Sequence, residues 1–176
     1  MQFPVMELGQ PYFYTATITQ WRHLLKPDKY KDIVVDSLRF LVQRQKINLY
    51  AFVIMPNHIH LIWTLLAMNG KELPNASLLK YTSHTFLHDL RQHHPQVLRY
   101  FEIETTSRQH HFWQRNSLPI PLFTEAVWQQ KIDYIHTNPV ADKWQLAELP
   151  QEYRYSSAKF YECGVDEFGI LTHWKE

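Results

Sequence analysis

Cysteine is almost missing from this chain. Of 176 residues only Cys163 carries a thiol, so no intramolecular disulfide can form and a reducing compartment is the expected setting. The opening "MQFPVMELGQ" has neither the basic nor the apolar region of a secretory signal. No uninterrupted apolar run approaches the roughly 18 residues that a membrane span requires. Strong net charge is missing as well, and a formal +1 is not the footprint of a protein that grips duplex DNA by neutralising many phosphates. There is no internal repeat and no low-complexity tract. These absences leave a cytoplasmic domain that spans no membrane, and 45% hydrophobic with 15% aromatic residues is enough to build its core.

The charge that is present is unevenly spread. Residues 1–141 carry 14 Lys/Arg against 10 Asp/Glu, and residues 142–176 carry 4 against 7. A mildly basic body over 1–141 and an acidic C-terminal tail over 142–176, packed on the same domain, are expected. In "RQHHFWQR" basic and aromatic residues interleave, a composition that suits single-stranded nucleic acid, where bases stack on rings. Arg108, Trp113 and Arg115 are the candidates there, although Trp113 serves equally well as a core residue.

Alternation in "YFYTATIT" predicts a strand, and Tyr30, Val34, Leu38 and Leu41 predict a helix starting after Pro27. "INLYAFVIM" and "HIHLIWTLL", separated by Pro56-Asn57, predict an antiparallel hairpin. Ser77 is expected to cap a helix whose inner face carries Leu79, Phe86 and Leu90. "VLRYFEIE" and "HHFWQ" read as extended, "NSLPIPLF" as a loop, and Thr124 as the cap of a helix that Pro139 ends. The tail reads as turns and short helices. The order strand–helix–strand–strand–helix–strand, followed by a helix, predicts an α+β domain with a ferredoxin-like antiparallel sheet.

Two stretches carry chemistry. In "YAFVIMPNHIHLIW", His58 and His60 stand at i and i+2 on a strand and therefore point to the same face, close enough to share one divalent metal. An unpaired histidine is costly in an apolar strand, yet His-x-His alone is a common accident in a chain with 11 histidines. In "EAVWQQKIDYIHTN", Trp128, Ile132 and Ile135 form the core stripe at about 100° per residue. Lys131, Tyr134 and Asn138 fall on a flank beside it. If that flank faces the histidines, a phosphate-holding ammonium, a nucleophilic phenol and a third ligand converge; otherwise Tyr134 is a boundary tyrosine with its hydroxyl in water. His84 and His88, one helical turn apart, lack the glutamate of the metalloprotease pattern and read as a solvated face.

"YAFVIMPNHIHLIW", followed in order by "FWQR", "DYIHTNPV" and "EYRYSSAKFYE", resembles the REP-associated tyrosine transposases, a single-tyrosine group of the His-hydrophobic-His superfamily. The resemblance runs from about residue 12 to residue 162. It implies a Mg²⁺- or Mn²⁺-dependent strand transferase that cleaves and rejoins single-stranded or hairpin DNA through a 5′-phosphotyrosine. It also implies His58 and His60 as metal ligands, Tyr134 as nucleophile, and Asn138 at the position of a polar third ligand, where Gln is more usual. "NSLPIPLF" departs from the family's pattern between "FWQ" and the last helix, so substrate contacts there are expected to differ. Monomer and homodimer, and a tyrosine acting in cis or in trans, stay open. So do a catalytically silent DNA-binding descendant and a metal-dependent hydrolase that uses the same histidines.

Overall fold

The computed structural model describes residues 5–103, 109–115 and 117–176. Strand β1 (Pro11–Thr17) leads through a tight turn at Thr19–Trp21 to helix α1 (Asp28–Gln43). Tyr30, Val34, Val35, Leu38 and Leu41 put one face of α1 into the core. The helix closes with Gln45 in the left-handed region (φ 53°), its amide bonded to Val42 O at 2.9 Å, and with Lys46 N bonded to Leu41 O at 2.9 Å. This is the paired closure that satisfies the last carbonyls of a helix. Strands β2 (Ile47–Ile54) and β3 (His58–Leu65) form the expected hairpin. Helix α2 (Pro74–His93) then packs against α1, where Tyr30 donates to Asp89 Oδ2 at 2.6 Å and its ring meets Phe86 edge-on.

Four further short elements follow: α3 (Pro95–Leu98), the paired strands β4 (Glu102–Ile103) and β5 (Gln109–His110), and β6 (Ile120–Pro121). Helix α4 (Glu125–Thr137) and helix α5 (Ala158–Cys163) complete the chain. The sheet is antiparallel with strand order β2-β3-β1-β6, so the fold is the α+β, ferredoxin-like arrangement with β6 as the outer strand. Among the described residues, no helix is long and apolar enough to cross a membrane.

Three expectations are corrected. Helix α2 begins at Pro74, with Leu73 before it, so Ser77 lies inside the helix and caps nothing; proline is pre-organised for the first helical position and sets the start four residues early. The extended reading of "VLRYF" fails because Pro95 opens a helical turn that continues as a 3-10 turn over Arg99–Phe101. Leu98 and Phe101, the buried pair, are three residues apart, as a helical turn requires. The outer strand instead comes from "NSLPIPLF", read as loop for its prolines. Pro121 faces Tyr12 at the sheet's edge, where a missing N–H costs no ladder bond.

The sheet has two covered faces. On one, Tyr14, Leu49, Phe52, Ile59, Leu61 and Trp63 pack against α1 and α2. On the other, Phe13, Ala51, Val53, Met55 and Ile62 receive Ile132 and Ile135 of α4. Thr124 starts α4 as expected, accepting from Val127 N at 3.3 Å.

The C-terminal segment covers the free edge of β2. Ile54 N donates to Tyr155 O at 2.9 Å, Ser157 N to Phe52 O at 2.9 Å, and Thr172 N to Leu49 O at 2.9 Å. Tyr153 and Tyr161 donate their hydroxyls to Ile54 O and Tyr50 O at 2.7 and 2.8 Å. An edge saturated in this way offers no template for pairing with another chain.

Buried at this seam, Ser157 Oγ accepts from Phe52 N at 3.0 Å and lies 2.9 Å from Nε2 of His136 on α4. Burial pushes the His136 imidazole down to about 4, so it is neutral in the folded protein near pH 7. An unfolded histidine titrates near 6.5, so between 6.5 and about 4 the unfolded chain binds the extra proton. This contribution to stability is therefore complete above pH 6.5 and is lost as pH falls toward 4. Urea denaturation should show the chain less stable at pH 5 than at pH 7.5, with about 1–2 kcal/mol of the difference assignable to His136. In His136→Gln that share of the pH dependence should disappear; an unchanged pH slope in the variant would refute the assignment.

Candidate functional site

His58 opens β3 immediately after the Pro56-Asn57 turn, and the β1–β3 register sets Thr17 opposite it and Thr15 opposite His60. All four side chains line one cavity on the α4 side of the sheet, so the two imidazoles share a face. Their ring centroids are 4.7 Å apart with planes at 69°. Phe13, two residues before Thr15 on the same face, stacks on His60 at 5.2 Å.

Each imidazole is held through Nδ1. His60 Nδ1 lies 2.8 Å from Thr15 Oγ1, and His58 Nδ1 lies 2.6 Å from Asn57 Oδ1. Asn57 is itself buried and donates its Nδ2 to Trp21 O at 3.2 Å, so Oδ1 faces His58 as the acceptor. His58 therefore carries its proton on Nδ1 and keeps the lone pair on Nε2. The Thr15 hydroxyl accepts as readily as it donates, which permits the same tautomer at His60. Burial is the main cause that pushes His58 down to about 4 and His60 down to about 3. Lys143 adds to both shifts, and the neighbouring His58 and Lys131 add to that of His60. Both rings are thus neutral at neutral pH, the form in which histidine binds a metal.

Helix α4 brings the other components. Ile132 and Ile135 are buried against the sheet, and Tyr134 on the flank is 49% exposed. The Tyr134 ring sits edge-on to His60 at 5.2 Å and to Phe13 at 6.0 Å between centroids. Lys131, one turn earlier, holds its ammonium 4.7 Å from the Phe13 ring centre. One turn later Asn138 is buried, and its Oδ1 has no hydrogen-bond partner among the described residues. Leaving a buried amide oxygen unpaired costs about 1–3 kcal/mol, which calls for an explanation.

His58, His60, Tyr134 and Asn138 thus line one open cavity of about 230 Å³. Two imidazole nitrogens and an unpaired amide oxygen form a donor set that fits a divalent cation. Among the described residues, no group of three His, Cys, Asp or Glu side chains is placed to hold a metal, so such a cation would depend on Asn138 or on its substrate for further oxygens.

The remaining candidates are dispersed. Trp113 is a core residue, buried beside Phe86 and donating its indole N–H to Thr82 Oγ1 at 2.9 Å. Arg115 is exposed and lines two other clefts, one of them shared with Thr19 and Gln20, rather than the histidine cavity. Arg108 lies outside the described residues. His84 and His88 are exposed on α2.

Six residues of the site escaped the sequence reading. Thr15, Thr17 and Trp21 reach it only through β-sheet register and turn geometry. Asn57 was visible merely as half of a turn signal. Lys143 and Trp144 fall in the segment read as an acidic tail, yet both line the cavity, with the Trp144 ring 6.0 Å from that of His58. A signal existed in "DKWQ", a basic–aromatic pair shortly after the Pro139 that ends α4.

No protein-family model matches the sequence, and no curated protein matches it. Among solved structures, the chain is similar to a REP-associated tyrosine transposase bound to a REP hairpin, at 18% identity and a TM-score of 0.63, with 96% of this chain and 88% of that one covered. A Deinococcus radiodurans protein provisionally assigned as a transposase matches at 18% identity and a TM-score of 0.43, over 77% of this chain and 95% of its own. Over nearly its whole length, then, the chain has the fold of a REP-associated tyrosine transposase.

Proposed function

We propose that this protein is a DNA strand transferase that cleaves and rejoins single-stranded or hairpin DNA, with Tyr134 as the nucleophile. The observation that carries the reading is the convergence of Tyr134 with His58, His60 and the unpaired Asn138 Oδ1 in one cavity. The similar transposase was solved with a REP hairpin bound, and DNA of that kind is the substrate class proposed for this chain.

His58, His60 and Asn138 would hold Mg²⁺ or Mn²⁺. A divalent metal bound there would supply Lewis-acid relief of charge on the scissile phosphate. Because the three protein donors are neutral, they leave the cation's charge free to attract an anionic substrate. Asn57 and Thr15 keep the imidazoles in register, and Lys131 and Lys143 add positive charge at the rim. Tyr134 Oη attacks phosphorus, the P–O3′ bond breaks, and the 3′-oxygen takes up a proton while the phenol has lost one. The 5′-phosphotyrosine conserves the phosphodiester bond for transfer to a second 3′-hydroxyl, which reverses the step and regenerates the phenol. Among the described residues, no carboxylate lines the cavity to position a water, which favours transfer over hydrolysis.

Incubating the protein with end-labelled single-stranded DNA flanking its own gene, with Mg²⁺ or Mn²⁺, should give a covalent adduct on denaturing gels. Tyr134→Phe keeps the ring and, at a half-exposed site, should change stability by less than about 0.5 kcal/mol. It should bind DNA and form no adduct; an adduct that survives in it would exclude Tyr134.

His58→Ala should fold, lose the adduct, and show weaker Mn²⁺ binding by calorimetry. Chelation with EDTA should abolish wild-type cleavage and added Mn²⁺ restore it. Undiminished cleavage under EDTA would remove the metal from the reading.

Single-stranded or hairpin DNA should bind more tightly than a plain duplex of the same sequence, since modest net charge leaves stacking as the main source of affinity. Equal affinity for the duplex would contradict this.

A further inference from the structure

Trp21 has no role in the fold that accounts for it. It is 66% exposed, yet it lines the same cavity as His58, His60 and Tyr134. Its backbone is left-handed (φ 52°), as is that of Gln20 before it (φ 55°). Two consecutive left-handed positions in an exposed turn favour glycine or asparagine. A tryptophan there leaves two-thirds of its surface in solvent and carries the backbone cost.

The turn is nevertheless held firmly. Trp21 N donates to Ile18 O at 2.9 Å and Arg22 N to Thr19 O at 3.3 Å. Arg22 Nη2 donates to Gln20 Oε1 at 2.7 Å, and its guanidinium lies 4.8 Å from the Tyr100 ring centre. Most tellingly, Trp21 O accepts from Asn57 Nδ2, and Oδ1 of the same amide holds His58 Nδ1. One buried side chain thus ties the backbone that carries an exposed indole to a candidate metal ligand.

Resting on the function proposed above, we infer that Trp21 is the stacking platform for an unpaired nucleobase next to the scissile phosphate. A large exposed ring beside the phosphate-handling groups matches how single strands are held, by bases on aromatic faces and backbone on cations. Every base presents a π-face, so the platform positions the strand without choosing its sequence. The Asn57 bridge sets the Trp21 backbone beside the His58 imidazole, so that a base seated on the indole would place the adjoining phosphate near Tyr134.

The test combines Trp21→Ala and Trp21→Phe with an abasic scan. Fluorescein-labelled single strands covering the DNA flanking the gene are prepared intact and with one abasic residue at each position in turn, and binding is measured in EDTA to prevent cleavage. Wild-type protein should lose about 5- to 150-fold in affinity at one abasic position, the range of a single base–aromatic stack. Trp21→Ala should show a comparable loss on intact DNA and no further loss at that position, and Trp21→Phe should retain most of the affinity. Since the ring is exposed, Trp21→Ala should unfold at the wild-type temperature, which removes misfolding as the cause. If Trp21→Ala binds intact DNA like wild type, or keeps the full abasic penalty, the platform is refuted while adduct formation by the wild type still stands. If wild type forms no adduct and shows no preference for single strands, the proposed function falls and the platform with it.

Discussion

The pairing of β1 with β3 is the constraint on which the rest depends. Thr15 faces His60 and Thr17 faces His58, and because side chains alternate with a period of two, a slip by one residue would turn both histidines into the α1–α2 core. The register is secured by what surrounds it. Tyr14, Leu61 and Trp63 are committed to one face and Phe13 and Ile62 to the other, so a slip would misplace large rings on both sides at once. The site therefore inherits its precision from ordinary apolar burial, at roughly 1.5–3 kcal/mol for each large side chain.

Helix α4 then converts a sheet face into a cavity. Its core stripe ends with Ile135, and the exposed flank carries Lys131 and Tyr134 past the edge of the packed region. Asn138 stands where the helix gives way to the Asn138–Val140 turn, since Pro139 offers no N–H to continue it. The amide there is buried, and its Oδ1 has no hydrogen-bond partner among the described residues. The same helix carries His136 on its other side into the seam with Ser157, so the catalytic candidate and the C-terminal segment are braced by one element.

What could be read from the sequence follows from the range of the interactions involved. Strands β1, β2 and β3 and helices α1 and α4 are long and periodic, and α4 announces its cap at Thr124 and its end at Pro139. The fold class was legible from their order. The outer strand was not, because two residues paired at an edge leave no periodicity and their proline argues against a strand unless the edge is already known. "VLRYF" misled for the opposite reason: β-prone residues were placed in a helical turn by Pro95 and by the burial of Leu98 and Phe101. In the site, the i, i+2 pair and the i, i+4 spacing of Tyr134 and Asn138 are local and visible. The Thr15, Trp21, Lys143 and Trp144 contributions come from tertiary proximity, and the charge tally that separated residues 142–176 concealed the last two.

The buried histidines and the weak net charge have one electrostatic explanation. An imidazolium at His58 or His60 would lose its hydration and face Lys143, and at His60 Lys131 as well, so protonation is resisted twice over. The rings stay neutral and keep their lone pairs beside the two lysines. Carboxylates in place of the imidazoles would have cancelled the lysines and left the cavity without net positive charge. With neutral donors inside and cations outside, a protein of net charge +1 presents a locally positive pocket. The positive charge is therefore gathered beside the two imidazoles, where Lys143 lines the cavity, rather than spread over a basic surface.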